Sequence, residues 1–220
     1  MNLEDITVVI LTYNEAPNIG RTLRALDWAR RVLVVDSCST DGTGDIAGGH
    51  PGVRVVQRPF DSHTLQWNFA LSLVETGWVL ALDADYLVPT ELAAELGRME
   101  ADVHSAWYAG FRYCIFGEPI RGNLYPPRAV LFQRTKCHYV DDGHTQLLEI
   151  DGSTGVLETR IDHDDRKGLD RWVADQVRYA GLEADKLSKS VVGSLGWADR
   201  IRKTLVLGPF LVFFYTLLVK

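Results

Sequence analysis

Four short β-rich runs set the limits on what this chain folds into: Ile6-Thr7-Val8-Val9-Ile10-Leu11, Val32-Leu33-Val34-Val35, Val53-Arg54-Val55-Val56 and Trp78-Val79-Leu80-Ala81-Leu82. Most are apolar throughout, as strands buried on both faces of a parallel sheet are. Between the first two, Ile19, Leu23 and Leu26 recur at helical spacing, with Pro17 suited to a first helical turn. A short helix follows Asp41-Gly42-Thr43, another spans roughly Leu65 to Val74, and Pro89 starts a further one through Leu92, Leu96 and Met99. Strands alternating with helices imply βαβ units and an α/β fold with a mostly parallel sheet and right-handed crossovers. No GxGxxG follows the first strand, which disfavours a dinucleotide-binding dehydrogenase, and no GxxxxGK(S/T) occurs, which removes the P-loop reading.

Polar groups collect where these runs end: Thr12 to Glu15, Asp36 to Asp41, Arg58 to Asn68, and Asp83-Ala84-Asp85. Open α/β sheets gather their ligands at that edge. Two carboxylates separated by one residue repel each other unless a cation or donor groups compensate. An Mg²⁺ or Mn²⁺ ion with hard oxygen ligands, shared with a substrate diphosphate, is one such arrangement. Taken singly, each group has a plainer account. Asn14 caps a helix, Asp41-Gly42 makes a turn, Asn68 sits on a solvated face, and Asp83 and Asp85 end a strand and cap a turn. Taken jointly, at successive strand ends, they make a nucleotide pocket with a metal beside it.

From about Ser105 the texture changes. Trp107 to Phe116 and Ala129 to Gln133 read as strands around a Gly/Pro-rich loop, Gly117 to Pro127. Leu147 to Ile150 and Val156 to Ile161 read as a hairpin around Asp151-Gly152-Ser153. Leu169 to Leu187 is expected to be a helix with Trp172, Val173, Gln176, Tyr179 and Ala180 along one side. The last segment, Thr204 to Val219, is sixteen residues, almost wholly apolar, and follows Arg200-Ile201-Arg202-Lys203. As a helix it is about 24 Å long against roughly 30 Å of hydrocarbon core, with Gly208-Pro209 inside it. A tilted or interfacial anchor, its basic residues near the headgroups, fits better than a span; a core helix and a truncated span are the other readings.

A net charge of −6 argues against general nucleic-acid binding but allows local basic patches that hold phosphates. Cys38, Cys114 and Cys137 show no metal-ligand spacing and suggest a reducing compartment. Met1-Asn2-Leu3-Glu4-Asp5 lacks the basic start and apolar core of a signal peptide. A cytoplasmic protein, peripheral at the inner face of the cell membrane, is therefore expected.

Val9-Ile10-Leu11-Thr12-Tyr13-Asn14-Glu15, Val34-Val35-Asp36-Ser37-Cys38-Ser39-Thr40-Asp41-Gly42-Thr43 and Leu82-Asp83-Ala84-Asp85 resemble the successive signatures of family 2 glycosyltransferases, and they come in the right order. These are inverting enzymes of the GT-A fold that use nucleotide-diphosphate sugars. Gln66-Trp67-Asn68-Phe69-Ala70-Leu71, Tyr125-Pro126-Pro127-Arg128, the His144 region and the Tyr179/Glu183-Ala184 helix resemble bacterial lipopolysaccharide-core β-glucosyltransferases. Those act at the cytoplasmic membrane face on lipid-bearing acceptors.

The resemblance implies a catalytic domain over residues 1–165, with a nucleotide-sugar half (1–104) and an acceptor half (105–165). C-terminal helices follow over 166–220. It implies that Thr12, Tyr13 and Glu15 line the nucleotide, that Asp36 contacts the nucleoside, and that Asp83 lies by the ribose or sugar. Asp85 would ligate the divalent ion (Mg²⁺ or Mn²⁺), with His144 as metal or phosphate contact. Arg58, Asn68 and, at the margin, Arg128 or Arg134 would complete the donor site. A diphosphate leaving group needs such stabilisation as its charge develops. An inverting reaction also needs a base, and the acidic loop Val140-Asp141-Asp142-Gly143-His144-Thr145 is the natural place, Asp142 ahead of Asp141. Family members show Glu-Asp or His-Glu near here; this chain departs from both. His163, in Ile161-Asp162-His163-Asp164-Asp165, is a further metal ligand or part of a solvated acidic turn. Rival readings are a polyprenyl-phosphate sugar synthase and a non-catalytic, membrane-recruited protein that retains the fold.

Overall fold

The computed structural model describes residues 1–101, 103–121, 125–142, 145–189, 200–201 and 207–218. The chain divides into two compact units, Met1–Pro119 with Tyr125–Arg166, and Ile120–Leu124 with Lys167–Lys220. In the first unit the strands are β1 (Ile6–Thr12), β2 (Arg31–Asp36), β3 (Val53–Gln57), β4 (Trp78–Asp83), β5 (Tyr86–Leu87), β6 (Ala106–Ala109), β7 (Phe111–Ile115), β8 (Glu118–Pro119), β9 (Arg128–Gln133), β10 (Cys137–Asp142), β11 (Thr145–Ile150), β12 (Thr154–Val156) and β13 (Ile161–His163). Its helices are α1 (Ala16–Arg24), α2 (Thr43–Gly48), α3 (His63–Ser72) and α4 (Thr90–Arg98).

The main sheet has the order β12-β6-β9-β4-β1-β2-β3. Strands β4, β1, β2 and β3 run parallel, β9 lies antiparallel between β4 and β6, and β12 joins β6 in parallel. The four parallel strands are the four β-rich runs of the sequence. From β1 the chain winds outward to β2 and β3, then returns to lay β4 on the other side of β1. The right-handed rule for crossovers puts the connecting helices of the two directions on opposite faces. Accordingly α1 packs Ile19 and Leu23 against Val8, Ile10, Val34 and Leu80 on one face, joined there by Leu92 and Leu96 of α4. On the other face Trp67, Ala70 and Leu71 of α3 meet Val9, Leu33, Val35 and Val79. The strands are apolar on both sides because both sides are covered. Between β1 and β4 lies the point where the winding reverses, the crevice that α/β sheets use for ligands.

Three expectations for the second half are corrected. The stretch Trp107 to Phe116 breaks at Gly110: β6 stays in the main sheet, while β7 enters a smaller sheet of order β5-β13-β7-β8. The Gly110 carbonyl instead accepts from the Ile161 N–H at 3.0 Å. Residues around Gly152 do not join a hairpin of Leu147–Ile150 with Val156–Ile161. β11 pairs back onto β10, and β12 adds to the main sheet, because Asp151 N–H is held by the Lys136 carbonyl (2.8 Å) and the Ser153 carbonyl by Ser105 N–H (2.9 Å). Gly152, at φ +127°, makes the turn that separates the two strands. Lastly, Asp141 and Asp142 belong to a strand, not a loop; Asp141 pairs with Gln146 and Asp142 with Thr145 across the β10–β11 hairpin.

That hairpin forms its own two-stranded sheet, and α3 carries it. The Asn68 side chain presents both halves of its amide to the Tyr139 backbone: Nδ2 donates to the Tyr139 carbonyl (2.8 Å), and Oδ1 accepts from the Tyr139 N–H (3.0 Å). The amide thereby imitates a neighbouring strand. Tyr139 is buried and stacks on Trp67 with ring centroids 5.2 Å apart.

In the second unit, α5 (Leu169–Lys189) is the expected helix, and α6 spans Leu207–Leu218. On α5, Leu169, Trp172, Val173, Val177 and Leu182 are exposed. On α6, Phe210, Leu211, Phe213, Phe214, Leu217 and Leu218 are exposed. Among the described residues, no helix is long and apolar enough to cross a membrane.

Replacing Asn68 by Ala strands two backbone groups of β10. Its unfolding free energy in urea is expected to fall by about 1–3 kcal/mol.

Candidate functional site

The acidic strand ends are brought into one row by sheet register. Leu11 pairs with Asp83 and Thr12 with Asp36, so the ends of β4, β1 and β2 lie side by side. At about 4.8 Å between strands, Asp83 and Asp36 stand roughly 10 Å apart across β1.

Asp36 is fully buried and its carboxyl oxygens are already engaged. Thr12 Oγ1 donates to Oδ1 at 2.9 Å, Ser39 Oγ to Oδ1 at 2.5 Å, and the Ser39 N–H to Oδ2 at 2.9 Å. Thr12 is likewise buried, so it braces Asp36 from below. Ser39 Oγ then accepts from the Asn14 N–H (2.8 Å), and Asn14 Oδ1 accepts from the Thr40 N–H (2.9 Å). Asn14 and Cys38 both adopt left-handed backbone conformations, φ +54° and +61°. Asp41, expected at the pocket, staples the two loops: it takes the Thr43 hydroxyl and N–H and the Ala16 N–H. Those hydrogen bonds outweigh burial and hold its carboxyl below the usual carboxylate range. Tyr13 is exposed beside this frame at 56%. Glu15 precedes α1, its N–H held by Thr43 Oγ1 at 2.7 Å.

Beyond Asp36, Arg58 donates to Asp61 at 2.8 Å and to Gln66, and lies over the Phe69 ring at 5.2 Å. The Arg58 N–H also binds the Asp36 carbonyl (2.9 Å), so this arginine stands at the donor edge. Asn68, read from the sequence as a donor contact, has its amide committed to Tyr139.

On the other flank, β5 and β13 bring a second group to Asp83 and Asp85. His163 Nε2 lies 3.2 Å from Asp85 Oδ2, and the Asp164 N–H donates to the Asp85 carbonyl at 3.0 Å. The imidazole is boxed by aromatic rings: Tyr113 at 4.7 Å, Tyr125 at 4.9 Å and Tyr86 at 5.3 Å between centroids. Its Nδ1 is buried without a hydrogen bond among the described residues, so the box rather than a second hydrogen bond sets the ring's orientation. Although burial opposes it, the Asp85 hydrogen bond and charge raise the His163 pKa. Burial and then the Asp85 charge raise that of Asp83, with Arg128, a hydrogen bond from Tyr86 and His163 opposing. The Tyr86 and Tyr125 hydroxyls share a 2.6 Å hydrogen bond, and the Tyr125 phenol is pushed up to about 12 by burial and Asp83. Arg128 closes this side, its guanidinium 4.9 Å from the centre of the Tyr125 ring.

The two marginal arginines are thus separated by topology. β9 runs antiparallel to β4, so Arg128 begins it at the Asp83 edge. Arg134 follows its far end, where its N–H meets the Gly77 carbonyl at the opposite edge of the sheet. Arg134 is not part of this site. His163 is no solvated turn either: it ends β13, and the next residue, Asp164, is 1% exposed. Burial favours the protonated Asp164, but hydrogen bonds from Arg166, the Gly117 N–H and Arg21 outweigh it and hold its carboxyl below the usual range. Asp141 is exposed at the end of β10, and Asp142 is the last residue of that strand. His144 lies outside the described residues.

No group of three or more His, Cys, Asp or Glu side chains converges as a metal cluster among the described residues. Asp85 and His163 are the two side chains that could hold such an ion. Adjacent ligands of an octahedral ion with bonds near 2.1 Å stand about 3 Å apart, which matches their 3.2 Å separation. A divalent ion there would take the rest of its shell from a diphosphate and water.

Acidic strand ends at the switch point of a mostly parallel sheet define a GT-A-type fold. The fold is shared with S. aureus TarS (residues 1–349), solved in complex with UDP-GlcNAc: the TM-score is 0.56 at 18% identity, covering 74% of this chain and 59% of that one. The family model described as Glycosyl transferase family 2 matches residues 7–147, and the chain belongs to that family. An uncharacterized glycosyltransferase of Rickettsia felis is 34% identical over 111 residues, 50% of this chain and 39% of the relative. The lipopolysaccharide core biosynthesis glycosyltransferase LpsC of Rhizobium meliloti is 29% identical over 201 residues, 84% of this chain and 72% of that protein. The chain spans well under half the length of the Rickettsia relative.

The depressed Asp164 gives a signed pH effect. Its contribution is full above the unfolded carboxyl value, near 3.8, and is lost as pH falls through the lower folded value. The stability gap between wild type and Asp164→Asn, followed by urea unfolding, is expected to be constant near neutral pH and to shrink below about pH 4.

Proposed function

We propose that this chain transfers a sugar, with inversion, from a nucleotide-diphosphate sugar to a hydroxyl of a membrane-associated acceptor of lipopolysaccharide-core type. The observation that carries the reading is the convergence of Asp36, Asp83 and the Asp85–His163 pair at one edge of the sheet, across the β1–β4 switch point. LpsC is named for lipopolysaccharide core biosynthesis, and TarS was solved with a nucleotide sugar, which supports the donor and acceptor classes.

In this reading Asp36, Thr12 and the loop after β2 form the floor for the nucleoside, with Tyr13 beside it. Asp83 and Arg128 face the sugar and diphosphate. Asp85 and His163 would hold a Mg²⁺ or Mn²⁺ ion, which when bound neutralises charge developing on the leaving diphosphate. The hairpin end, Asp142 before Asp141, takes the proton from the acceptor hydroxyl. The freed oxygen attacks the anomeric carbon from the face opposite the diphosphate, and the bond from that carbon to the diphosphate oxygen breaks. α6 and the basic residues Arg200, Arg202 and Lys203 would rest the second unit on the inner face of the membrane. Among its described side chains, Phe210, Leu211, Phe213, Phe214, Leu217 and Leu218 of α6 are exposed.

Mn²⁺-dependent cleavage of a nucleotide sugar is expected, with at least a 100-fold loss in Asp85→Ala. The reading is overturned if no nucleotide sugar raises the melting temperature with Mn²⁺ present. Asp142→Asn separates acceptors: transfer to a sugar hydroxyl is expected to fall about 100-fold or more. Undiminished transfer in that variant would point to a lipid phosphate, which needs little help from a base.

A further inference from the structure

Asn18 is a small polar residue in the first turn of α1, yet it is fully buried and every hydrogen-bonding position of its amide is used. Nδ2 donates to Glu15 Oε2 at 2.9 Å and to Asp165 Oδ1 at 2.7 Å. Oδ1 accepts from Arg21 Nη2 at 2.9 Å and from the Arg166 N–H at 2.8 Å. Two of these bonds reach 147 and 148 residues along the chain, to the second and third residues after His163. Only a carboxamide offers two donors and two acceptor positions in one plane on so short a stem.

The same segment is gripped on either side. Arg21 places Nη1 on Asp164 Oδ2 (2.9 Å) and Nη2 on the Asp164 carbonyl (2.7 Å). The Asp164 N–H holds the Asp85 carbonyl. β13 itself is only three residues long, pairing with β7 over Ile161 to His163 and with β5 through Asp162 with Leu87 and His163 with Tyr86, and both ladders end at His163. The chain beyond His163 has no ladder to hold it and is anchored by side chains instead. α1 provides that anchor through Asn18 and Arg21.

We propose that Asn18 is a positioning residue for the Asp85–His163 pair, fixing segment 164–166 so that the His163 imidazole and the Asp85 carboxylate share one divalent cation. The inference rests on the metal reading above. Asn18 acts through Asp165 and Arg166. Losing such outer support costs roughly 10–100-fold in metal affinity.

The test is calorimetric titration of the full chain with Mn²⁺ alone, alongside melting temperatures, for wild type, Asn18→Ala, Asn18→Asp, Asp85→Ala and Leu96→Ala. Leu96 is a buried core residue of α4, and its variant controls for lost stability. Below the melting temperature of each variant, Asn18→Ala is expected to raise the Mn²⁺ dissociation constant about 10-fold or more, and Leu96→Ala to leave it unchanged. Asn18→Asp is expected to be at least as weak, because it replaces the two N–H donors with a carboxylate against Glu15 and Asp165. Wild-type affinity in folded Asn18→Ala, or equal weakening in Leu96→Ala, overturns the positioning role while binding abolished by Asp85→Ala leaves the metal reading standing. Absence of Mn²⁺ binding in wild type overturns both.

Discussion

The repulsion between Asp83 and Asp85 is the constraint around which this edge of the molecule is arranged. A buried strand delivers both acids to one place, and burial sharpens the cost of their charges. The surrounding elements answer it. β13 brings His163 to Asp85, β9 begins at that edge with Arg128, and the Tyr86–Tyr125 hydroxyl pair stands beside Asp83. The smaller sheet β5-β13-β7-β8 makes these approaches possible, because β5 follows the two acids directly and gives β13 a strand to pair with.

Much of the fold of the first half was legible in the sequence. Parallel strands buried on both faces must be apolar, so their abrupt polar ends marked where the strands stop at Thr12, Asp36 and Asp83 without any knowledge of strand order. What the sequence did not show comes from contacts between distant residues. Asp85 and His163 are 78 positions apart, and β13 is too short to announce itself by periodicity. Asn68 looked like a ligand because it is polar and near a strand end, but its amide is spoken for by a backbone 71 residues away. Arg134 and Arg128 were indistinguishable until the direction of β9 separated them. Asn18 carried no signal at all, since an asparagine early in a helix is ordinary; its burial distinguishes it.

Hydrogen-bond saturation recurs in the frame around the site. Asp36, Asp41, Asn18 and Asp164 each gather several donors or acceptors from separate loops. Each binds two stretches of chain that secondary structure alone would leave loose. Left-handed residues at Asn14 and Cys38 persist because these networks fix the backbone on both sides. Polar cross-links thus supplement the apolar cores where the strands end.

The β10–β11 hairpin stands in contrast. It belongs to neither larger sheet, and a side-chain amide and a stacked ring pair on α3 fasten it. Its fastening and its tip are separate: Tyr139 meets α3, while Asp141 and Asp142 lie two and three residues further along. A change at the end of β10 would therefore leave its fastening to α3 intact, because Asn68 and the Trp67–Tyr139 stack grip the strand upstream of it.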